Sequence, residues 1–205
     1  MIPEIGNLAL TFALALAVIQ FVVPLAGIAT NRWRMVLIAK PAAIGQFIFA
    51  SIAFACLTWS FYINDFSVAY VAQNSNRSLP TAYRLGATWG GHEGSLLLWA
   101  YILAVWTFAV TLFSKSLPAL TRARVLAILG AVSIGFISFI LFTSNPFDRL
   151  LPIYPVDGSD LNPLLQDPGM VFHPPLLYMG YVGFSVAFAF SLAALLEGRI
   201  DTLWA

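Results

Sequence analysis

Two histidines are the residues of this sequence with the widest chemical range, and the second stands in an unusual setting. His173 is followed directly by Pro174 and Pro175. Proline disfavours the helical conformation in the residue before it, and it is favoured at the first position of a helix. The sequence therefore predicts a helix that begins at Pro174 or Pro175, with His173 extended just outside it. An imidazole held there on a stiff backbone is suited to binding a metal ion through one ring nitrogen.

The neighbours of His173 indicate which metal-containing group it could bind. Three of them have surfaces that could pack against a flat macrocycle: Phe172, Leu176 and Tyr178. Imidazole is a common axial ligand of haem iron, and such apolar neighbours suit a haem. Asn162 and Gln166 are close enough in the chain to order the preceding loop. The same pattern is also typical of a histidine that only caps a helix, and the residues alone leave both interpretations open.

A second group of unusual residues lies upstream, where the sequence reads WGGHEGSLLLW from 89 to 99. Gly90 and Gly91 permit tight turns and the close approach of another group. Trp89 and Trp99 are typical of the aromatic residues that anchor helices at a membrane surface. The stretch is therefore either a capped helix start with interfacial anchors, or a platform for a planar ligand with His92 as a further candidate ligand.

The single cysteine, Cys56, lies in the middle of an apolar stretch. It has no second cysteine with which to form a disulfide or a CxxC redox pair. Burial in lipid keeps such a thiol protonated and unreactive. Any thiol that reacts at this site must therefore come from a partner protein.

The composition of the chain indicates that lipid is its main solvent. Of its 205 residues, 60% are hydrophobic and 9% are charged, and the mean hydropathy is +0.85. Soluble domains carry about 25% charged residues. Five windows without Asp, Glu, Lys or Arg are long enough to cross a bilayer as helices. We predict an all-α, polytopic membrane protein with helices at about 5–30, 41–64, 94–114, 125–147 and 174–196.

The distribution of basic residues predicts the orientation of these helices. Seven of the ten Lys and Arg residues lie in alternate links. They are Arg32, Arg34, Lys40, Lys115, Arg122, Arg124 and Arg199. By the positive-inside rule these links face the cytoplasm, so the N-terminus lies outside and the C-terminus inside. The two long loops, 65–93 and 148–173, are then external. A net charge of +1 gives no indication of nucleic-acid binding.

The two loop motifs carry a resemblance to a known family. The run HPPLLYMGY from 173 to 181, preceded by NPLLQDPG from 162 to 169, resembles an external loop of the CcmF family of cytochrome c maturation proteins. The stretch GGHEGSLLLW from 90 to 99 is similar to that family's first external motif. The resemblance extends over nearly the whole chain, including helix number and orientation. Paralogues linked to nitrite reductase share the same signatures.

The resemblance implies a haem–apocytochrome c ligase of the bacterial inner membrane. Its substrates would be haem b, delivered by the periplasmic haem chaperone CcmE, and the reduced CxxCH motif of apocytochrome c. A CcmH-type subunit would handle the thiols. His173 matches the external histidine that ligates the haem iron. The residues expected to surround the haem are Pro174, Pro175, Tyr178, Trp89, Gly90, Gly91 and Trp99.

The chain also departs from that family. CcmF proteins are much longer, and their tryptophan-rich haem platform, second external histidine and two membrane-buried haem ligands are expected beyond residue 205. We therefore expect a fragment or one part of a split protein, which needs the remainder of CcmF and is inactive alone. Residues 199–205 are typical of the start of a cytoplasmic link.

The residues are also compatible with two other functional classes. One is a structural or transport subunit, such as a quinone-coupled or proton-pumping membrane protein. Proton paths use ionisable residues inside helices, whereas the five windows hold no Asp, Glu, Lys or Arg. The other is a haem exporter, which needs a route through the membrane that the sequence does not indicate.

Overall fold

Within residues 1–198, the fold consists of five long α-helices and three short ones, joined by links of very different length. The structure, a computed structural model, describes residues 1–198, and the predicted link at 199–205, with Arg199, lies outside them. In chain order the helices are α1 (Ile2–Ala29), α2 (Trp33–Val36), α3 (Ala39–Tyr62), α4 (Ala69–Asn74), α5 (Thr81–Gly86), α6 (His92–Phe113), α7 (Ala119–Thr143) and α8 (Pro168–Glu197). Five segments are long and apolar enough to cross a membrane, which confirms the predicted fold class.

The long helices form a bundle in which α1 packs against α3 and α7. α6 contacts both α3 and α7, while α8 packs on the outside against α6 and α7. Many buried residues of α1 and α3 are alanines, namely Ala9, Ala13, Ala17, Ala42, Ala43, Ala50 and Ala53. Small side chains allow membrane helices to approach closely, since packing rather than the hydrophobic effect holds them together in lipid.

The two long loops pack on one another at one end of the bundle. We call residues 63–91 and 144–167 together the loop cap. An antiparallel bridge pairs Val68 with Arg149. Backbone N–H groups of Ala69 and Ser159 donate to the carbonyls of Asp148 and Ala72 at 2.8 and 2.7 Å. The loop cap therefore has the backbone pairing of an ordered unit.

The start of α8 differs from the predicted one. The helix begins at Pro168, and its N-cap Asp167 accepts a hydrogen bond from the backbone N–H of Gly169 at 2.7 Å. The prediction that the helix begins at Pro174 or Pro175, with His173 extended outside it, is wrong. An aspartate cap followed by a proline at the first helical position strongly favours a helix start at Pro168. This effect outweighs the tendency of Pro174 and Pro175 to interrupt a helix. Both prolines lie inside the helix.

Candidate functional site

His173 lies in the second turn of α8, at the end of the bundle that carries the loop cap. Its side chain is exposed, and it borders a shallow depression of about 350 Å³. The depression is lined by Asp167, Gly169, Met170, His173 and Pro174. The imidazole therefore has free space beside it, which is what an incoming ligand requires.

Two large apolar side chains flank His173 on the exposed face of α8. Phe172 is 67% exposed and Leu176 is 72% exposed. Exposed apolar groups beside an imidazole suit a ligand that is itself flat and apolar. Tyr178 lies about 140° around the helix from His173, given about 100° per residue, and it packs against the core between α6, α7 and α8. The structure therefore groups Phe172 and Leu176 with His173 but turns Tyr178 away.

Trp89 links the first motif to the start of α8. It ends a short 3₁₀ helix, Ala87–Trp89, and its indole Nε1 donates a hydrogen bond to the carbonyl of Met170 at 3.1 Å. Its ring is half-buried and stacks on Phe54 of α3, with ring centroids 6.5 Å apart. Gly86 lies against α8 as well, because a Cβ there would be 3.3 Å from Val171 Cγ2.

Tyr70 of α4 holds this turn in place, and no sequence motif had indicated it. Its buried hydroxyl lies 3.3 Å from the carbonyls of both Ala87 and Thr88, and it accepts a hydrogen bond from the N–H of Gly91 at 2.9 Å. Burial raises the pKa of Tyr70 well above its usual range, so the phenol stays neutral.

The glycines of the first motif serve this packing. A Cβ on Gly91 would lie 2.7 Å from Tyr70 Cε2, and one on Gly94 would lie 2.6 Å from the Tyr70 hydroxyl. A Cβ on Gly90 would be 3.2 Å from Leu161 Cδ1. Their small size is thus explained by contacts inside the protein. A role of Gly90 and Gly91 beside haem stays a prediction.

His92 and Trp99 face a different helix from the one that carries His173. His92 is exposed, and its Nδ1 lies 3.3 Å from the hydroxyl oxygen of Ser144. Its ring is edge-on to that of Phe139, with ring centroids 6.3 Å apart. Trp99 stacks on Phe136 of α7, with ring centroids 3.5 Å apart. The first motif thus divides in two: Trp89 is directed to α8, while His92 and Trp99 are directed to α7.

A larger depression, of about 630 Å³, lies elsewhere on the loop cap and is lined by residues that include Asp65, Arg77, Arg149 and Tyr154. Arg149 NH1 is 3.2 Å from Glu4 Oε1 and 3.8 Å from Asp65 Oδ2. Its charge is already balanced within the protein. The smaller depression is bordered by the exposed imidazole of His173, whereas the lining of the larger one includes no histidine, so the candidate site is placed beside His173.

Comparison with known proteins extends over the whole chain. The family model described as Cytochrome C assembly protein matches residues 89–202. The cytochrome c-type biogenesis protein CcmF of Pseudomonas aeruginosa is 61% identical over all 205 residues of the chain, which cover 31% of that protein. CcmF of Escherichia coli is 58% identical over the same length and is covered to 32%. NrfE of Haemophilus influenzae is 44% identical over 199 residues, covering 97% of the chain and 31% of that protein.

A solved structure of similar fold carries the same family name. The cytochrome c haem lyase CcmF has a TM-score of 0.84 to this chain at 28% identity, with 100% of the chain and 32% of that protein covered. The chain thus spans about a third of the length of the relatives that it matches. The resemblance to CcmF inferred from the two loop motifs is confirmed. From these matches, the chain belongs to the cytochrome c assembly protein family and corresponds to the N-terminal portion of CcmF proteins.

Proposed function

We propose that this chain holds haem b as a substrate for its attachment to apocytochrome c, with His173 as an axial ligand of the iron. The observation that carries the proposal is the exposed imidazole of His173, which borders a depression and has exposed Phe172 and Leu176 near it on α8. Membership of a cytochrome c assembly family supports haem as the ligand.

The protein's own residues contribute orientation rather than acid–base chemistry. His173 would occupy one axial position of the iron and leave the other for the histidine of the CxxCH motif. Phe172 and Leu176 would contact the porphyrin face and shield it from water. Each cysteine thiol then adds across a haem vinyl group: the sulfur forms a bond to one vinyl carbon, and the thiol proton goes to the other. That addition consumes neither oxidant nor reductant.

The proposal includes the partners and the membrane in which they meet. Haem would come from the periplasmic chaperone CcmE, and a CcmH-type subunit would present the reduced apocytochrome c. We place the chain in the bacterial inner membrane with the loop cap in the periplasm, because the short links at the other end carry most of the basic residues. Residues of the protein beyond this chain would complete the haem site, so ligation requires both parts.

The test compares two exposed histidines in the full-length protein. His173→Ala should abolish co-purification of haem, read from the Soret absorbance, and should stop assembly of cytochrome c in cells. His92→Ala is the matched control, because His92 contacts Ser144 and Phe139 rather than the depression. Retention of haem and of assembly by His173→Ala would refute the proposal. Loss of haem without loss of assembly would show that the haem held by His173 is not needed for attachment, and would also refute the proposal.

A further inference from the structure

The helix that carries His173 contains a carbonyl that its own backbone cannot satisfy. In an α-helix the carbonyl of residue 170 accepts a hydrogen bond from the N–H of residue 174. Residue 174 is a proline, which has no N–H. A buried carbonyl without a donor is unfavourable, because it has lost its hydrogen bonds to water and gained none in return. The indole N–H of Trp89 replaces the missing donor at 3.1 Å.

The replacing donor is itself held firmly. Tyr70 contacts the carbonyls of Ala87 and Thr88 in the same 3₁₀ turn, and the Ser95 hydroxyl donates to the carbonyl of Trp89 at 3.0 Å. The Trp89 ring also stacks on Phe54 of α3. The first turns of α8 are therefore hydrogen-bonded to Trp89, a side chain whose position is fixed by contacts outside the helix.

Met170 precedes His173 by three residues, so the two lie on the same face of α8 in successive turns. A bond to the Met170 carbonyl therefore sets the position of the turn that presents the imidazole. We propose that Trp89 is a positioning residue for His173: its indole N–H replaces the donor that Pro174 removes and thereby fixes the direction of the imidazole. The part of this inference that concerns haem rests on the proposed function.

A second tryptophan supplies the matched control. Trp106 Nε1 donates to the carbonyl of Met179 at 2.9 Å, so it also bonds α8 from α6. Residue 183, four positions after Met179, is a glycine with an N–H. The Met179 carbonyl therefore keeps a helical partner when Trp106 is replaced, whereas the Met170 carbonyl has none when Trp89 is replaced.

The first experiment measures the protein without haem. In the full-length protein in detergent, Trp89→Phe keeps an aromatic ring but loses the N–H. We expect amide hydrogen exchange in the segment 168–173 to be about tenfold faster in this variant, since a carbonyl loses its partner. Trp106→Phe should leave exchange in that segment within about twofold of the parent. Unchanged exchange in Trp89→Phe would overturn the inference.

The second experiment restores the missing donor. Pro174→Ala returns an N–H to position 174, so the Met170 carbonyl regains a partner within the helix. We expect Trp89→Phe to have almost no effect on exchange when residue 174 is alanine. If Trp89→Phe accumulates poorly, the double variant should recover the parent's level. An equal effect of Trp89→Phe in both backgrounds, or no recovery, would overturn the inference.

Haem binding then separates this inference from the proposed function. Trp89→Phe should weaken haem binding about tenfold when Pro174 is present and much less when Pro174→Ala is combined with it, as read by Soret titration. If exchange follows the expected pattern while His173→Ala still binds haem, the proposed function fails and the positioning role stands. If His173→Ala loses haem but exchange is insensitive to Trp89, the positioning role fails alone.

Discussion

At the scale of single residues, Tyr70 shows how one buried side chain shapes a site that it does not enter. Its hydroxyl is close to two carbonyls and one N–H of the turn that precedes α6. Two glycines nearby, Gly91 and Gly94, leave room for its ring and its hydroxyl. The glycine-rich motif and Tyr70 therefore pack directly against each other, although Tyr70 and Gly91 are 21 positions apart in the sequence.

Replacing Tyr70 with phenylalanine tests this contact. Tyr70→Phe leaves the N–H of Gly91 without its acceptor, and we expect the free energy of unfolding to fall by about 1–3 kcal/mol. Denaturant titration in detergent measures the change. Tyr154→Phe is the control, because Tyr154 is 55% exposed and its change should have little effect. Equal stability of the two variants would contradict the assigned role of Tyr70.

The sequence indicated His173 as a candidate ligand but did not predict its backbone conformation correctly. A proline after a histidine is a local signal, and local rules predict an extended residue. In the structure that preference is overcome by two contacts: the Asp167 cap and the bond from Trp89 to Met170. The second joins residues 81 positions apart, and no spacing rule within one motif could have indicated it.

At the scale of elements, a single side chain caps the start of α8. Asp167 is the N-cap, and its carboxylate accepts the N–H of Gly169 at 2.7 Å. We expect Asp167→Ala to cost about 1 kcal/mol and to speed amide exchange at the start of α8. Asp167→Asn keeps a good capping group and should behave like the parent. Equal exchange in the alanine and asparagine variants would show that the cap contributes nothing.

The five long helices could be predicted because lipid solvation requires long uncharged windows. The starts of α7 and α8 could not be predicted in this way, since helix ends are decided by caps and by side-chain contacts. α7 begins at Ala119, and its first two turns carry Arg122 and Arg124, which the uncharged window had excluded. The short helices α4 and α5 were missed for a related reason, since they are too short to persist alone. Contacts with the rest of the loop cap hold α4, and contacts with α3 and α8 hold α5.

At the scale of the whole molecule, ion pairs mark the two ends of the bundle. Arg149 contacts Glu4 and Asp65 at the end with the loop cap. At the opposite end Arg124 of α7 pairs with Glu197 of α8, and Thr121 donates to the same carboxylate at 2.8 Å. The pairs connect chain segments that are distant in sequence: Arg124–Glu197 joins α7 to α8, and Arg149 joins one long loop to α1 and to the other loop.

Labelling of single cysteines tests the orientation across the membrane. In a Cys56→Ser background, Tyr154→Cys should react in intact cells, once the outer membrane is permeabilised, with a maleimide that cannot cross the inner membrane. Lys115→Cys should react only after that membrane is opened. The expectation follows from the excess of basic residues in the short links. The reverse labelling pattern would place the loop cap in the cytoplasm and His173 on the wrong side for periplasmic haem.

The ties on α8 also limit how the protein could work. Two indole bonds, from Trp89 and Trp106, hold its N-terminal half, and the Arg124–Glu197 pair holds its C-terminal end. Contacts at both ends oppose a shift of the helix along its own axis, so we expect the imidazole of His173 to stay in place when a ligand binds. We therefore expect α8 to provide a fixed binding position, and the ligand and the proteins that deliver it to be the parts that move.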